Sequence, residues 1–228
     1  MCKERRKPPQ VRPGILVRLQ LGWSTGRYVD GMWVGSWRTP QDLPRVEHAL
    51  LLVKNHSPLH YSRIVRELER VWIFLLPGAL GRYDRSLKAC MLDERYVANS
   101  ATSIEEIAST IVHEATHAKL DRRGFGYQEE LRARIEAICF RRELAFAVRL
   151  PDSAQLQKDI GYRLTWYQSN PDYFGSAQFH ERHTEGEMEM LRHIEIPEWL
   201  VRATPRAKSV IDRTRRLLRL AWPRRGSG

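Results

Sequence analysis

Apolar residues recur at helical spacing in the middle of the chain: Ile104, Ile107, Ala108, Ile111, Val112, Ala115 and Ala118 gather on one side of a helical projection. That stripe is what a helix buries against a core. Ser103 followed by Glu106 makes a capping-box signature ahead of it, and Gly124 lies just past its far end, so the pattern predicts a helix over 104–122. A second helical pattern runs over 127–149 and stops before Pro151; a third, over 153–168, stops before Asn170-Pro171. Upstream, the β-branched and aromatic residues of 14–37, interrupted by glycines, predict one or two short strands. Helices are expected over 40–54 and 58–70. The continuous run Val71-Trp72-Ile73-Phe74-Leu75-Leu76, closed by Pro77-Gly78, predicts a buried strand, and 87–98 another. The expected fold is α+β and mainly helical, with a small sheet before the 104–122 helix and several helices after it.

Composition adds little to this. The 228 residues are 42% hydrophobic and 29% charged, ordinary for a globular chain with one sizeable core. Cys2, Cys90 and Cys139 are far apart and odd in number, which excludes a disulfide framework or a cysteine zinc site and suits a reducing cytoplasm. No signal peptide or transmembrane helix is expected, because the longest strongly apolar run is the six residues Val71 to Leu76.

The net charge of +11 belongs to the ends. Residues 1–12 carry five Lys/Arg and one acid, residues 202–228 nine and one, and the body over 13–201 holds 24 basic against 25 acidic residues. The chain therefore divides into a basic flexible arm (1–12), a near-neutral body (13–201) and a basic tail (202–228). In the tail, Val210, Ile211, Leu217, Leu218, Ala221 and Trp222 share a helical face opposite Arg213, Arg215, Arg216 and Arg219. Such a helix docks on the protein or contacts an anionic membrane, and affinity for nucleic acid should reside in these ends.

The chemistry lies on the polar side of the 104–122 helix. His113-Glu114-Ala115-Thr116-His117 places two imidazoles one turn apart, away from the apolar stripe, where both can reach one zinc ion. Glu114, between them, is the candidate general base for water at the metal. Catalytic zinc normally takes a third protein ligand. Glu129, Glu136 and Glu143 line one stripe of the following helix, and Glu136, among small and apolar neighbours, is the preferred candidate, with Glu129 and Glu130 as alternatives. His180, His183, Tyr127 and Tyr173 are candidates for stabilising an oxyanion.

These residues resemble the gluzincin branch of the zincin metallopeptidases, in which the HExxH helix is followed by a glutamate ligand on a later helix. His113, Glu114 and His117 match the motif, and Glu136 stands nineteen residues past His117, about the separation in thermolysin-like enzymes. The resemblance covers about residues 70–150. It implies a zinc-dependent metallopeptidase with a peptide or protein substrate. The competing expectations are a catalytically inactive zinc-binding regulator that engages nucleic acid or membrane through its basic ends, and a zinc hydrolase of non-peptide amides.

Overall fold

The three central strands alternate between two apolar environments, and that alternation organises the molecule. The computed structural model describes residues 12–203. The basic arm and tail, including the amphipathic pattern over 210–222, fall almost wholly outside them. Five strands, β1 (Thr25–Val29), β2 (Met32–Ser36), β3 (Arg70–Phe74), β4 (Gly81–Asp84) and β5 (Ala89–Asp93), form one mixed sheet of order β1-β2-β3-β5-β4. The central pairs β2–β3 and β3–β5 are parallel, and the outer pairs are antiparallel. Val34, Val71, Ile73, Cys90 and Leu92 point to the main core; Trp72, Ala89 and Met91 point to a smaller cluster on the other face. Burial on both faces explains why the sequence around β3 is a continuous apolar run.

The main core is filled by helices α2 (Leu43–His56), α3 (Pro58–Glu67), α5 (Ile104–Arg122), α6 (Glu129–Ala147) and α7 (Ala154–Ser169). The fold is α+β and mainly helical, as expected. No helix among the described residues is long and apolar enough to cross a membrane.

Four local expectations change. Residues Ile15–Trp23 form a helix, α1, instead of a strand. Val17 and Leu21, one turn apart, both pack on the smaller cluster, so the i, i+4 pair overrides the β-branched composition. The strands expected in this region do form, but at β1 and β2, joined at Asp30-Gly31, where both φ angles are positive (48° and 83°), the geometry of a two-residue hairpin turn. The strand expected over 87–98 ends at Asp93, whose carboxylate accepts from the amides of Arg95 and Tyr96 and so caps helix α4 (Glu94–Ala98). Neither β4 nor helix α8 (Ser176–His193) is anticipated. The short, polar β4 has no apolar periodicity to find. Helix α8 has a single buried residue, Gly186, where a Cβ would stand 2.0 Å from the Gly78 nitrogen, so glycine is what allows its close approach to the Pro77-Gly78 loop.

One buried acid ties α3 to α5. Glu67 accepts from Arg122 Nε and Nη2 at 2.6 and 2.7 Å and from Arg66 Nε at 3.1 Å. Burial raises its pKa, but these bonds outweigh that and hold it below the ordinary value. Because the folded-state pKa is depressed, the stabilisation is present above the unfolded carboxyl pKa and disappears as pH falls through the folded one. Glu67→Gln should therefore cost about 1–2 kcal/mol at pH 7, discounted because Arg122 is largely exposed. In denaturant titrations the difference from wild type should shrink steadily below about pH 4.5.

Candidate metal centre

Helix α5 is covered on both sides, and this decides the character of its polar face. The capping box forms as the sequence indicates: Glu106 N donates to Ser103 Oγ (3.1 Å) and Ser103 N to Glu106 Oε2 (2.7 Å). Ile107, Ala108, Ile111, Val112, Ala115 and Ala118 are buried in the main core, with Ile104 packed at its margin. The opposite side does not face water. Ser109, His113 and Glu114 are buried as well: α6 folds back over Ser109 and His113, and strand β4 lies against Glu114. The reversal is a helix C-terminal motif in which Gly124, at φ 83°, donates to Asp121 O (2.8 Å) and Phe125 donates to Leu120 O (3.0 Å).

This reversal brings His113, His117 and Glu136 together. The Nε2 atoms of the two histidines are 3.0 Å apart, His113 Nε2 is 3.1 Å from Glu136 Oε2, and His117 Nε2 is 3.3 Å from Glu136 Oε1. Donors bound at about 2.0–2.1 Å in a tetrahedral zinc site are separated by roughly 3.3 Å, so the triangle has the dimensions one ion requires. The other expected acids are elsewhere. Glu129 is exposed and accepts from the amide and hydroxyl of Ser176 (2.8 and 2.7 Å), while Glu130 is exposed.

Two further side chains of the site went unassigned in the sequence. Glu143 bonds His113 Nδ1 through one oxygen and accepts from Ser109 Oγ (3.0 Å) through the other, so it fixes the ring with Nε2 towards His117 and Glu136. Its place on the Glu129-Glu136-Glu143 stripe was the available signal. Cys139, one turn beyond Glu136, is buried, and its Sγ and the donor nitrogens of His113 and His117 all lie within 4.8 Å of one another. Burial and the nearby carboxylates of Glu136, Glu114 and Glu143 push the thiol pKa well up.

The charges of the site lean towards a cation. Burial alone would lower the His113 pKa, but Glu143 and Glu136, one at each ring nitrogen, raise it well above the ordinary value. Burial would raise Glu136, but its bonds from His113 and His117 hold it well below the usual carboxylate range. Two carboxylates in a buried pocket thus demand positive charge between them, and a pair of imidazoles with one carboxylate is a donor set suited to zinc. The residues fit that ion.

Glu114 stands beside this triangle without joining it. Burial raises its pKa, and the amide of Tyr83 donates to its carboxylate. A Cβ at Gly81 would lie 2.6 Å from Thr110 Cγ2 and 3.2 Å from Glu114 Oε1, so glycine lets strand β4 close over this end of the site. Of the proposed oxyanion donors, Tyr127 instead donates to Glu136 Oε1 at 2.6 Å, which holds that carboxylate in place. Tyr173 lies in an aromatic cluster with Tyr167 and Phe174, under the Arg182 guanidinium. His180 is exposed, and His183 pairs with Glu187 (3.4 Å) on α8.

Glu143→Gln should leave the helices folded but lower affinity for zinc by about 10- to 100-fold, since the amide orients His113 without holding it as firmly. Competition titration against a chromophoric chelator reads this directly, and an unchanged affinity would remove Glu143 from the site.

No family model, no curated protein and no solved structure matches this chain. The donor geometry and its surroundings therefore carry the functional argument.

Proposed function

We propose that the chain is a zinc-dependent metallopeptidase of the gluzincin type, with His113, His117 and Glu136 as metal ligands and Glu114 as general base. The observation that carries the reading is the convergence of three donor groups from two helices, each within 3.3 Å of the other two, beside a buried carboxylate that is not one of them. When bound, zinc would supply a Lewis acid for the scissile carbonyl and activate water at neutral pH.

The protein's own residues do the rest. Glu143 and Tyr127 keep His113 and Glu136 in their ligating orientations. Glu114, with its pKa raised by burial, is a stronger base than an exposed glutamate; it takes a proton from the attacking water and returns it to the leaving amine. The Tyr83 amide and the close approach at Gly81 hold the Glu114 carboxylate on the β4 side of the site. A peptide fits this setting better than a small amide, because β4 is an edge strand of the sheet and runs beside Glu114. An extended chain could add to such an edge through main-chain hydrogen bonds.

Cys139 favours a second reading, a zinc-binding regulator without activity. A fourth protein donor would close the coordination sphere, as in structural sites.

Two substitutions separate these readings. Purified wild-type protein should carry about one zinc per chain. Glu114→Gln should keep that zinc while hydrolysis of an unstructured peptide mixture, followed by mass spectrometry, falls by at least about 100-fold. Cys139→Ala should retain both zinc and activity. A chain that binds no zinc overturns the reading, and loss of zinc from Cys139→Ala with no hydrolysis by the wild type would establish the regulator instead.

A further inference from the structure

Behind the metal helix, on the face towards α3, lies a cluster of positive charge. Arg63 of α3, Lys119 of α5 and Arg142 of α6 line one pocket with His60, Val112 and Thr116. None of these three cations has a salt-bridge partner among the described residues. Burial and then the charges of Arg142, Arg66 and Arg149 lower the Arg63 pKa, and burial followed by Arg63, Arg123 and Arg142 lowers that of Lys119. Glu67, the acid that acts on Lys119, is already committed to Arg66 and Arg122. Like charges gathered without a counter-charge oppose folding, and an anion placed among them relieves that cost.

The second observation is independent of charge. His60 is only 6% exposed, its Nδ1 is bonded to Ser57 Oγ at 2.6 Å, and its Nε2 is buried without a hydrogen-bond partner among the described residues. A buried polar nitrogen left unpaired is costly and uncommon. Burial and the charges of Arg63, Arg149 and Arg142 push the ring pKa down to about 4, so it is neutral at pH 7. The Ser57 hydroxyl can donate to Nδ1; the proton of the neutral ring is then on Nε2, and an oxygen in the pocket that His60 lines would accept it. The cavity volume of about 20 Å³ is room for a single water-sized group. It would take one oxygen of a larger anion whose other oxygens face the guanidinium and ammonium groups.

We propose that this pocket, formed by His60, Arg63, Lys119 and Arg142, is a binding site for a dianionic phosphoryl group, either inorganic phosphate or a small phosphomonoester. Several cations suit a dianion, and guanidinium groups match tetrahedral phosphate oxygens through paired N–H donors. The site is separate from the metal donors: on α5 it uses Val112, Ala115, Thr116 and Lys119, whereas His113 and His117 face α6.

Long-range ¹H–¹⁵N correlation spectra of the histidine rings, recorded on the full chain while chloride is exchanged for phosphate at constant ionic strength, test this. The His60 Nε2 resonance should shift saturably with inorganic phosphate or with glycerol phosphate, and the tighter of the two identifies a free or an esterified group. Arg63→Gln and Arg142→Gln, both made away from the metal donors, should each weaken binding about tenfold. The same variants should lose the rise in melting temperature that phosphate gives the wild type, which controls for non-specific salt stabilisation. No saturable shift of His60 up to about 50 mM phosphate would overturn the proposal, as would a shift that both variants retain at full affinity or one that acetate reproduces at the same concentration.

Discussion

The structure depends on satisfying the polar side of α5 inside the protein. Ser109, His113 and Glu114 are buried on a helix whose other side already fills the core, so these groups cannot be left to water. A buried charge without a partner costs several kcal/mol. For Ser109 and His113, helix α6 meets the demand by running back antiparallel, with Glu143 bonded to Ser109 and His113, and Glu136 close to His113 and His117. A seven-residue step on α6 thus answers an eight-residue span on α5, each about two helical turns. The turn through Gly124 sets that register, which is why a residue free to adopt φ 83° matters there.

A merely structural network could have matched each imidazole with its own carboxylate. Here two Nε2 atoms stand 3.0 Å apart with Glu136 touching both, so the two nitrogens cannot both carry hydrogens directed at each other. Either one shared proton or one shared cation resolves the contact. Glu143 at the far nitrogen of His113 biases that ring towards giving its Nε2 lone pair to the shared species. The same packing that keeps water out also raises the Glu114 pKa, so burial supplies both the need for a cation and the basicity beside it.

Much of this was legible in the sequence, and the parts that were not share a reason. The α5 boundaries follow from Ser103, Glu106 and the apolar stripe, all local signals, and the motif histidines follow from their spacing on that helix. The approach of Glu136 to the two histidines was readable because the short link through Gly124 limits where α6 can go. The burial of the histidine face was not, since periodicity shows which side of a helix is apolar and not what covers the other side. Helix α1 was misread because Val17 and Leu21 acquire meaning only against the second face of the sheet. Strand β4 is held by its pairing with β5 and its contact with α5, with little apolar patterning of its own. His60 and its cationic neighbours come from three helices far apart in sequence, and no linear motif connects them.

The histidine–carboxylate cluster and the cationic pocket are kept apart by the angular step of a helix. On α6, Glu143 bonds His113 while Arg142, the preceding residue, lines the cationic pocket; on α5, Thr116 lines that pocket while His117 faces Glu136. Neighbouring positions differ by about 100° around the axis, enough to send acids to one side and cations to the other. Overall composition is therefore a poor guide to this near-neutral body, where opposite charges are sorted by position. Exchanging the residues at 142 and 143 would leave length, composition and net charge unchanged, yet it would put a guanidinium against His113 and a carboxylate among Arg63 and Lys119. Both environments would be lost together, because the order of two adjacent residues decides which face of α5 each charge meets.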